Sequence, residues 1–140
     1  MNPIIRKILA VIAGLAAGSA VNMGLVIVGA EIIPPPAGVD VRDVESIKSG
    51  MHHFEFKHFI APFVAHALGT LVGAFAAVII AAASKMTMAL VIGVLFLILG
   101  SINALMLPSP VWFVVVDLVG AYLPMAWIGA RLSARVQRSA

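Results

Sequence analysis

Two side chains that could carry proton or cation chemistry lie deep inside long apolar runs of this sequence. His66 lies in the second run and Asp117 in the fourth. An imidazole beside a carboxylate can pass a proton or hold a cation, and ionisable groups inside a membrane usually mark such a site. The sequence therefore makes this pair the leading functional candidate. The alternative is that the two side chains bond to each other, or to a helix carbonyl, and only fix the packing.

Three more polar residues could complete a substrate-binding or ion-binding site around this pair. Asn22 lies in the first run, Asn103 near the end of the third, and Tyr122 midway along the fourth, where its hydroxyl needs a hydrogen-bond partner. With a helical rise of about 1.5 Å per residue, Asn103 lies roughly 6 Å and Asn22 roughly 16 Å below the outer ends of their helices. These side chains can therefore meet in the outer half of one bundle.

A separate cluster could hold a metal ion. Glu55 and His58 have the Glu-x-x-His spacing of di-iron carboxylate bundles, but those bundles need two copies and two further glutamates, and this chain has one copy. A three-ligand site of His53, Glu55 and His58 would match zinc in ligand type. The alternative is that these side chains are only solvated at a membrane surface. No other cofactor is expected.

Membrane-spanning helices must position these residues, because the composition excludes a water-soluble fold. The chain of 140 residues is 62% hydrophobic and 11% charged. Soluble domains are about 45–50% apolar and about 25% charged. Its length suggests one domain, and the absence of cysteine removes disulfides and cysteine metal sites.

Four apolar runs are long enough to cross the hydrocarbon core, which takes about 20 residues. We predict spans over residues 8–33, 59–83, 86–107 and 111–132. Prolines from Pro34 onward end the first span, and the short connections at 84–85 and 108–110 make the last three spans antiparallel neighbours. The fold class is therefore all-α, a four-transmembrane-helix bundle that forms a single membrane domain over residues 1–140.

The distribution of lysine and arginine predicts the orientation of this bundle. Because six basic residues lie on one side and three on the other, both termini are expected in the cytoplasm and the segment 34–57 outside. The larger group is Arg6, Lys7, Lys85, Arg131, Arg135 and Arg138, and the smaller is Arg42, Lys48 and Lys57. The basic residues do not cluster on one face, so nucleic acid is not an expected partner.

The start of the chain resembles a signal peptide, with two basic residues before an apolar run. Because the run continues to Ile33, we expect an uncleaved signal-anchor helix and not a cleaved leader.

Apolar residues recur at helical spacing within the outer segment 34–57. They predict a short amphipathic helix that lies on the bundle or in the membrane interface, with Asp40 as its cap. The alternative is a lid over an outer cavity. The residues in this pattern are Val41, Val44, Ile47, Met51 and Phe54.

Small residues indicate how the spans pack. Gly14-x-x-x-Gly18 in the first span and Gly69-x-x-x-Gly73 in the second fit the pattern of closely approaching membrane helices. We interpret them as packing faces within the chain, with homodimer contact as the alternative. The buried polar residues share stripes with small residues, so they should face other helices and not lipid.

Four stretches of the sequence resemble a group of small bacterial four-span membrane proteins of unassigned function. They are Gly29–Asp40, Lys57–Thr70, Leu107–Trp112 and Val116–Tyr122. The resemblance covers nearly the whole chain. It implies a multi-pass location in the bacterial cytoplasmic (inner) membrane and implies nothing about activity.

The leading functional hypothesis is that the bundle binds or moves a small solute, cation or proton at a polar site in its outer half. It would act in the lipid bilayer as a homo-oligomer or with a partner membrane protein. The second hypothesis is an accessory or assembly subunit whose polar residues are structural. An intramembrane metal-dependent enzyme is the third, and it is less favoured because the motifs of serine hydrolases, zinc proteases and phosphate-binding loops are missing.

Overall fold

The chain forms α-helices joined by short connections, and the part that the structure describes contains no strand. This structure is a computed structural model that describes residues 1–82 and 84–139. Two short 3-10 helices, Met51–His53 and Phe56–Phe59, lie between the second and third α-helices. The α-helices, in chain order, are α1 (Pro3–Ile32), α2 (Val44–Gly50), α3 (Ile60–Ala81), α4 (Lys85–Met106), α5 (Val111–Gly120) and α6 (Leu123–Ser139).

Four helical stretches within the described residues are long and apolar enough to cross a membrane. They are Pro3–Ile32, Phe56–Ala81, Lys85–Met106 and Val111–Arg138. The prediction of an all-helical chain with four candidate spans is therefore confirmed, and these spans indicate a multi-pass membrane protein. The predicted end of the second span, at Ala83, lies outside the described residues.

Helix α3 lies at the centre of the bundle, where α1, α4 and α6 all pack against it. The contact with α1 depends on glycines, because a Cβ on Gly14 would lie 2.7 Å from the carbonyl oxygen of Gly73. A Cβ on Gly18 would likewise lie 2.6 Å from the carbonyl oxygen of Gly69. The two small-residue motifs therefore pack against each other within the chain, as predicted.

The helix in the long connection starts later than the sequence suggested. Helix α2 begins at Val44, and its cap is Asp43, whose carboxylate accepts a hydrogen bond from the amide of Glu45 at 3.1 Å. The prediction that Asp40 caps this helix was wrong. The Asp40 carboxylate accepts a hydrogen bond from the amide of Arg42 at 2.9 Å and so holds the turn that precedes the helix.

An apolar face of this connection covers one end of the bundle. Met51 and Phe59 form a buried cluster with Phe113 of α5, and Ile47 and Phe54 pack against that cluster. The segment therefore lies on the bundle and not away from it.

The fourth span, predicted over 111–132, extends from Val111 to Arg138 and is not one continuous helix. Helix α5 ends at Gly120, and α6 begins at Leu123. Pro124 lacks the amide that would bond to the carbonyl of Gly120, so the regular helix cannot continue through this point. The break bends the chain at Ala121 and Tyr122, next to the predicted polar site.

Candidate functional site

Three of the predicted site residues form one hydrogen-bonded network at the centre of the bundle. Nδ1 of His66 lies 2.8 Å from Oδ1 of Asp117. The hydroxyl of Tyr122 donates a hydrogen bond to the other carboxylate oxygen, Oδ2, at 3.0 Å. The side chain of Asp117 is only 7% exposed, and Tyr122 is 2% exposed. The structure therefore brings a buried carboxylate into contact with two donors.

The helix break explains how Tyr122 reaches Asp117. The two residues are five positions apart, and on an unbroken helix they would lie roughly 140° apart around the axis. The bend between α5 and α6 returns the tyrosine to the face that carries the carboxylate. The ring also passes directly over Gly100 of α4, where any Cβ would overlap the hydroxyl group.

His66 is held from several directions and keeps one ring nitrogen available. Its backbone carbonyl accepts a hydrogen bond from the Thr70 hydroxyl at 2.8 Å, and its ring stacks on Tyr122 with centroids 6.0 Å apart. An ionised carboxylate can only accept, so Nδ1 carries the proton when it bonds to Asp117. Nε2 is then an acceptor, and it has no hydrogen-bond partner within residues 1–82 and 84–139.

A polar cavity of about 250 Å³ lies beside this network. We call it the polar cavity. Four predicted site residues line it, each from a different part of the bundle: Asn22 from α1, His66 from α3, Asn103 from α4 and Tyr122 from the break. Asp117 does not line the cavity; it lies behind His66 and Tyr122 and acts on the cavity through them. A water molecule occupies about 30 Å³ of liquid, so the cavity has room for a small solute.

The two asparagines occupy different environments in this cavity. Oδ1 of Asn22 is buried, and it has no hydrogen-bond partner within the described part of the chain. A buried acceptor without a donor costs about 1–3 kcal/mol, so this oxygen is an unsatisfied polar group at the wall of the cavity. Asn103 lies at the exposed edge of the same cavity.

A second cavity of about 220 Å³ adjoins the polar one. We call it the apolar cavity. It lies beneath α2 and the residues that follow it, and its walls include Val26 of α1, Ile47 of α2 and Phe113 of α5. His66 and Asn103 line both cavities, so the two spaces meet at these side chains.

The predicted metal ligands do not assemble into a site. Among residues 1–82 and 84–139, no group of three histidine or acidic side chains could hold a metal ion. Nδ1 of His58 accepts a hydrogen bond from the Glu55 amide at 2.8 Å, and the Glu55 carboxylate accepts one from the His58 amide. The ring of His53 instead lies against that of His52 in a tilted arrangement, with ring centroids 3.9 Å apart. The Glu-x-x-His spacing here forms a helix cap, in which Nδ1 of His58 and the Glu55 carboxylate bond to backbone amides.

No family model, curated protein or solved structure matches this chain. The activity must therefore be argued from the chemistry of the site. The resemblance to small bacterial four-span proteins remains a prediction.

Sequence reasoning missed two features of this site. The break at Ala121 and Tyr122 was not predicted, although Pro124 was a signal for it. The apolar lining of the second cavity was also missed. The sequence offered only a lid over an outer cavity as an alternative, and the walls come from five α-helices, α1 to α5, and the connections between them.

Proposed function

We propose that this protein binds a small cation or protonated solute in the polar cavity and moves the solute or its proton across the membrane. The observation that carries the proposal is the buried Asp117 carboxylate behind the cavity-lining His66. A carboxylate in low dielectric is stabilised by a nearby positive charge, and intramembrane carboxylates commonly mark ion or proton pathways.

The charges around the cavities favour a cation over an anion. Among the described residues, no lysine or arginine lines either the polar or the apolar cavity. The carboxylate of Asp117, in contrast, lies in direct contact with His66, which lines both cavities. An anionic solute would be repelled by this carboxylate and would find no lysine or arginine in the lining of either cavity.

In this proposal, His66 is the residue that accepts the proton from the solute. Nε2 accepts a hydrogen bond or a proton from the solute, while Nδ1 donates to Asp117. The carboxylate stabilises the imidazolium that results, and the Tyr122 hydroxyl holds its second oxygen in place. A discontinuous helix beside a polar centre is a recurring feature of transporters, and the break between α5 and α6 supports the same function.

The distribution of basic residues and the resemblance together support a membrane location and an orientation for this activity. Both termini lie in the cytoplasm in this proposal, and the segment that carries α2, an amphipathic helix of the outer loop, faces outward. The protein is then a multi-pass protein of a bacterial cytoplasmic membrane. It acts as a homo-oligomer or with a partner membrane protein.

Asp117→Asn tests the proposal. The amide can still accept from Tyr122 and donate to Nδ1 of His66, so the fold survives. The negative charge is lost, however, and Nε2 becomes a donor. In lipid nanodiscs, we expect the wild-type protein to bind propylammonium saturably by calorimetry, and Asp117→Asn to bind at least about tenfold more weakly, the equivalent of about 1.4 kcal/mol.

Glu31→Gln is the matched control, because it removes an acidic charge from an exposed position outside both cavities. It should bind propylammonium like the wild type. Equal binding by Asp117→Asn and the wild type, or no saturable binding by the wild type, would contradict the proposal. An accessory or assembly subunit predicts a different result, in which Asp117→Asn disperses or unfolds the bundle or changes nothing.

A further inference from the structure

The polar and apolar cavities together have the shape and chemistry of a site for one two-part molecule. They meet at His66 and Asn103, which line both spaces. One side of this junction offers hydrogen-bonding groups and a nearby carboxylate. The other side is walled mainly by aliphatic and aromatic side chains, including Val26, Ile47 and Phe113. A wholly polar solute would leave the apolar space unused, and a wholly apolar one would leave the polar groups unpaired.

We propose that the ligand is an amphiphilic primary amine, with its ammonium head in the polar cavity and its hydrocarbon tail in the apolar cavity. This inference rests on the proposed function and adds the class of solute to it.

The head group is assigned from the donors and acceptors around it. Oδ1 of Asn22 is a buried acceptor without a partner in the described residues, and Nε2 of His66 is an acceptor when Nδ1 donates to Asp117. A primary ammonium carries three N–H donors and one positive charge. It therefore pairs with Nε2 of His66 and compensates the Asp117 carboxylate, and it pairs with Oδ1 of Asn22 once that amide turns towards the cavity.

The length of the tail follows from the volume of the apolar cavity. A methylene group is about the size of a water molecule, which occupies about 30 Å³, so a cavity of about 220 Å³ holds roughly seven such groups. Transfer of each methylene from water to an apolar space should raise the affinity about fourfold. The affinity for n-alkylammonium ions should therefore rise with chain length and level off near eight carbons.

The opening of the polar cavity fits a ligand that arrives from the bilayer. Ser19 of α1 and Leu99 and Asn103 of α4 line the cavity and are exposed at its edge. The cavity thus opens sideways between α1 and α4. In a bundle that spans a membrane, such an opening faces lipid, where amphiphilic molecules are concentrated.

The experiment measures propylammonium and octylammonium binding by calorimetry to the full chain in lipid nanodiscs, with empty nanodiscs as the background. Val26→Phe fills the apolar cavity, and Val28→Phe makes the same change at a site on α1 that is 53% exposed and lines neither cavity. Ala30→Leu fills the apolar cavity from a different position on α1, in case Val26→Phe does not fold. Asn22→Leu removes the unpaired acceptor.

The expected results distinguish binding of the ammonium head from binding of the hydrocarbon tail. Wild-type protein and Val28→Phe bind octylammonium at least about a hundredfold more tightly than propylammonium, a conservative bound on five methylenes at about fourfold each. Val26→Phe and Ala30→Leu reduce octylammonium binding and leave propylammonium binding unchanged. Asn22→Leu weakens both ligands.

The results that would contradict the tail assignment differ from those that would contradict the head assignment and the proposed function. If propylammonium and octylammonium bind equally and cavity filling has no effect, the tail assignment fails and the proposed function stands. If octylammonium binding survives Asn22→Leu and Asp117→Asn unchanged, the head assignment and the proposed function both fail. Both also fail if neither ion binds the wild-type protein.

Discussion

Replacing Asp117 with leucine should show how much stability its buried hydrogen-bond network contributes. The substitution removes the acceptors of two hydrogen bonds, at 2.8 Å from His66 and 3.0 Å from Tyr122. Each bond leaves behind a donor, and the Tyr122 hydroxyl belongs to a residue that is only 2% exposed. A buried donor without a partner costs about 1–3 kcal/mol, which gives about 2–6 kcal/mol for the two.

The membrane environment lowers this estimate of the free-energy cost. In lipid, unfolded segments also find partners, and measured side-chain hydrogen bonds between membrane helices average only about 0.6 kcal/mol. The bonds here involve a carboxylate, and charge-assisted bonds are about twice as strong as neutral ones. We therefore expect Asp117→Leu to lower the free energy of unfolding by about 2–4 kcal/mol, and Asp117→Asn, which keeps both bonds, by less than about 1 kcal/mol.

The assay is a reversible unfolding titration with dodecyl sulfate in mixed micelles, followed by the fluorescence of Trp112 and Trp127. Glu31→Leu is the control, because it makes the same type of change at an exposed position. A leucine variant of Asp117 that is as stable as the wild type, or more stable, would refute the reasoning. The network would then contribute no net stability, as happens when well-packed apolar groups replace buried ion pairs.

Three further changes test how the bundle holds this site. Gly100→Ala should push the Tyr122 ring away from Asp117 and weaken propylammonium binding several-fold, whereas Gly24→Ala, where a Cβ meets nothing within 4 Å, should be neutral. Gly18→Leu should separate α1 from α3 and destabilise the chain in the same unfolding titration by at least about 2 kcal/mol, and Gly24→Leu should not. Asp43→Ala should cost about 0.5–2 kcal/mol in the cap of α2, seen as faster amide exchange over residues 44–50; unchanged exchange would contradict that role.

The sequence predicted the features that depend on composition and short-range pattern. Four long apolar runs are enough to predict four candidate spans, because no soluble fold could bury them. The contact between His66 and Asp117 was also predicted, from their similar depth and from the small residues on the same helix faces. The glycine motifs were predicted to be packing faces, but only the structure shows that Gly18 packs against Gly69.

Features that depend on competition between local interactions could not be predicted. Asp40 and Asp43 are both able to cap a helix, and the structure uses the second because the first holds the preceding turn. Glu55 and His58 have the spacing of a metal motif, but in the structure the side chain of each residue accepts a hydrogen bond from the backbone amide of the other. In both cases the residue types allow two outcomes, and the backbone conformation decides between them.

In the proposed function, the carboxylate of Asp117 would couple ligand binding to the break in the fourth span. Its two oxygens are divided between His66 on α3 and Tyr122 in the bend between α5 and α6. A solute that protonates or displaces the imidazole changes the charge that Tyr122 must stabilise, and a shift in the bend changes the donor that holds the carboxylate. Because both effects act on one buried charge, a change in one should alter the strength of the other. A cation in the polar cavity and the geometry of the bend should therefore bias each other, as alternating states of a transporter require.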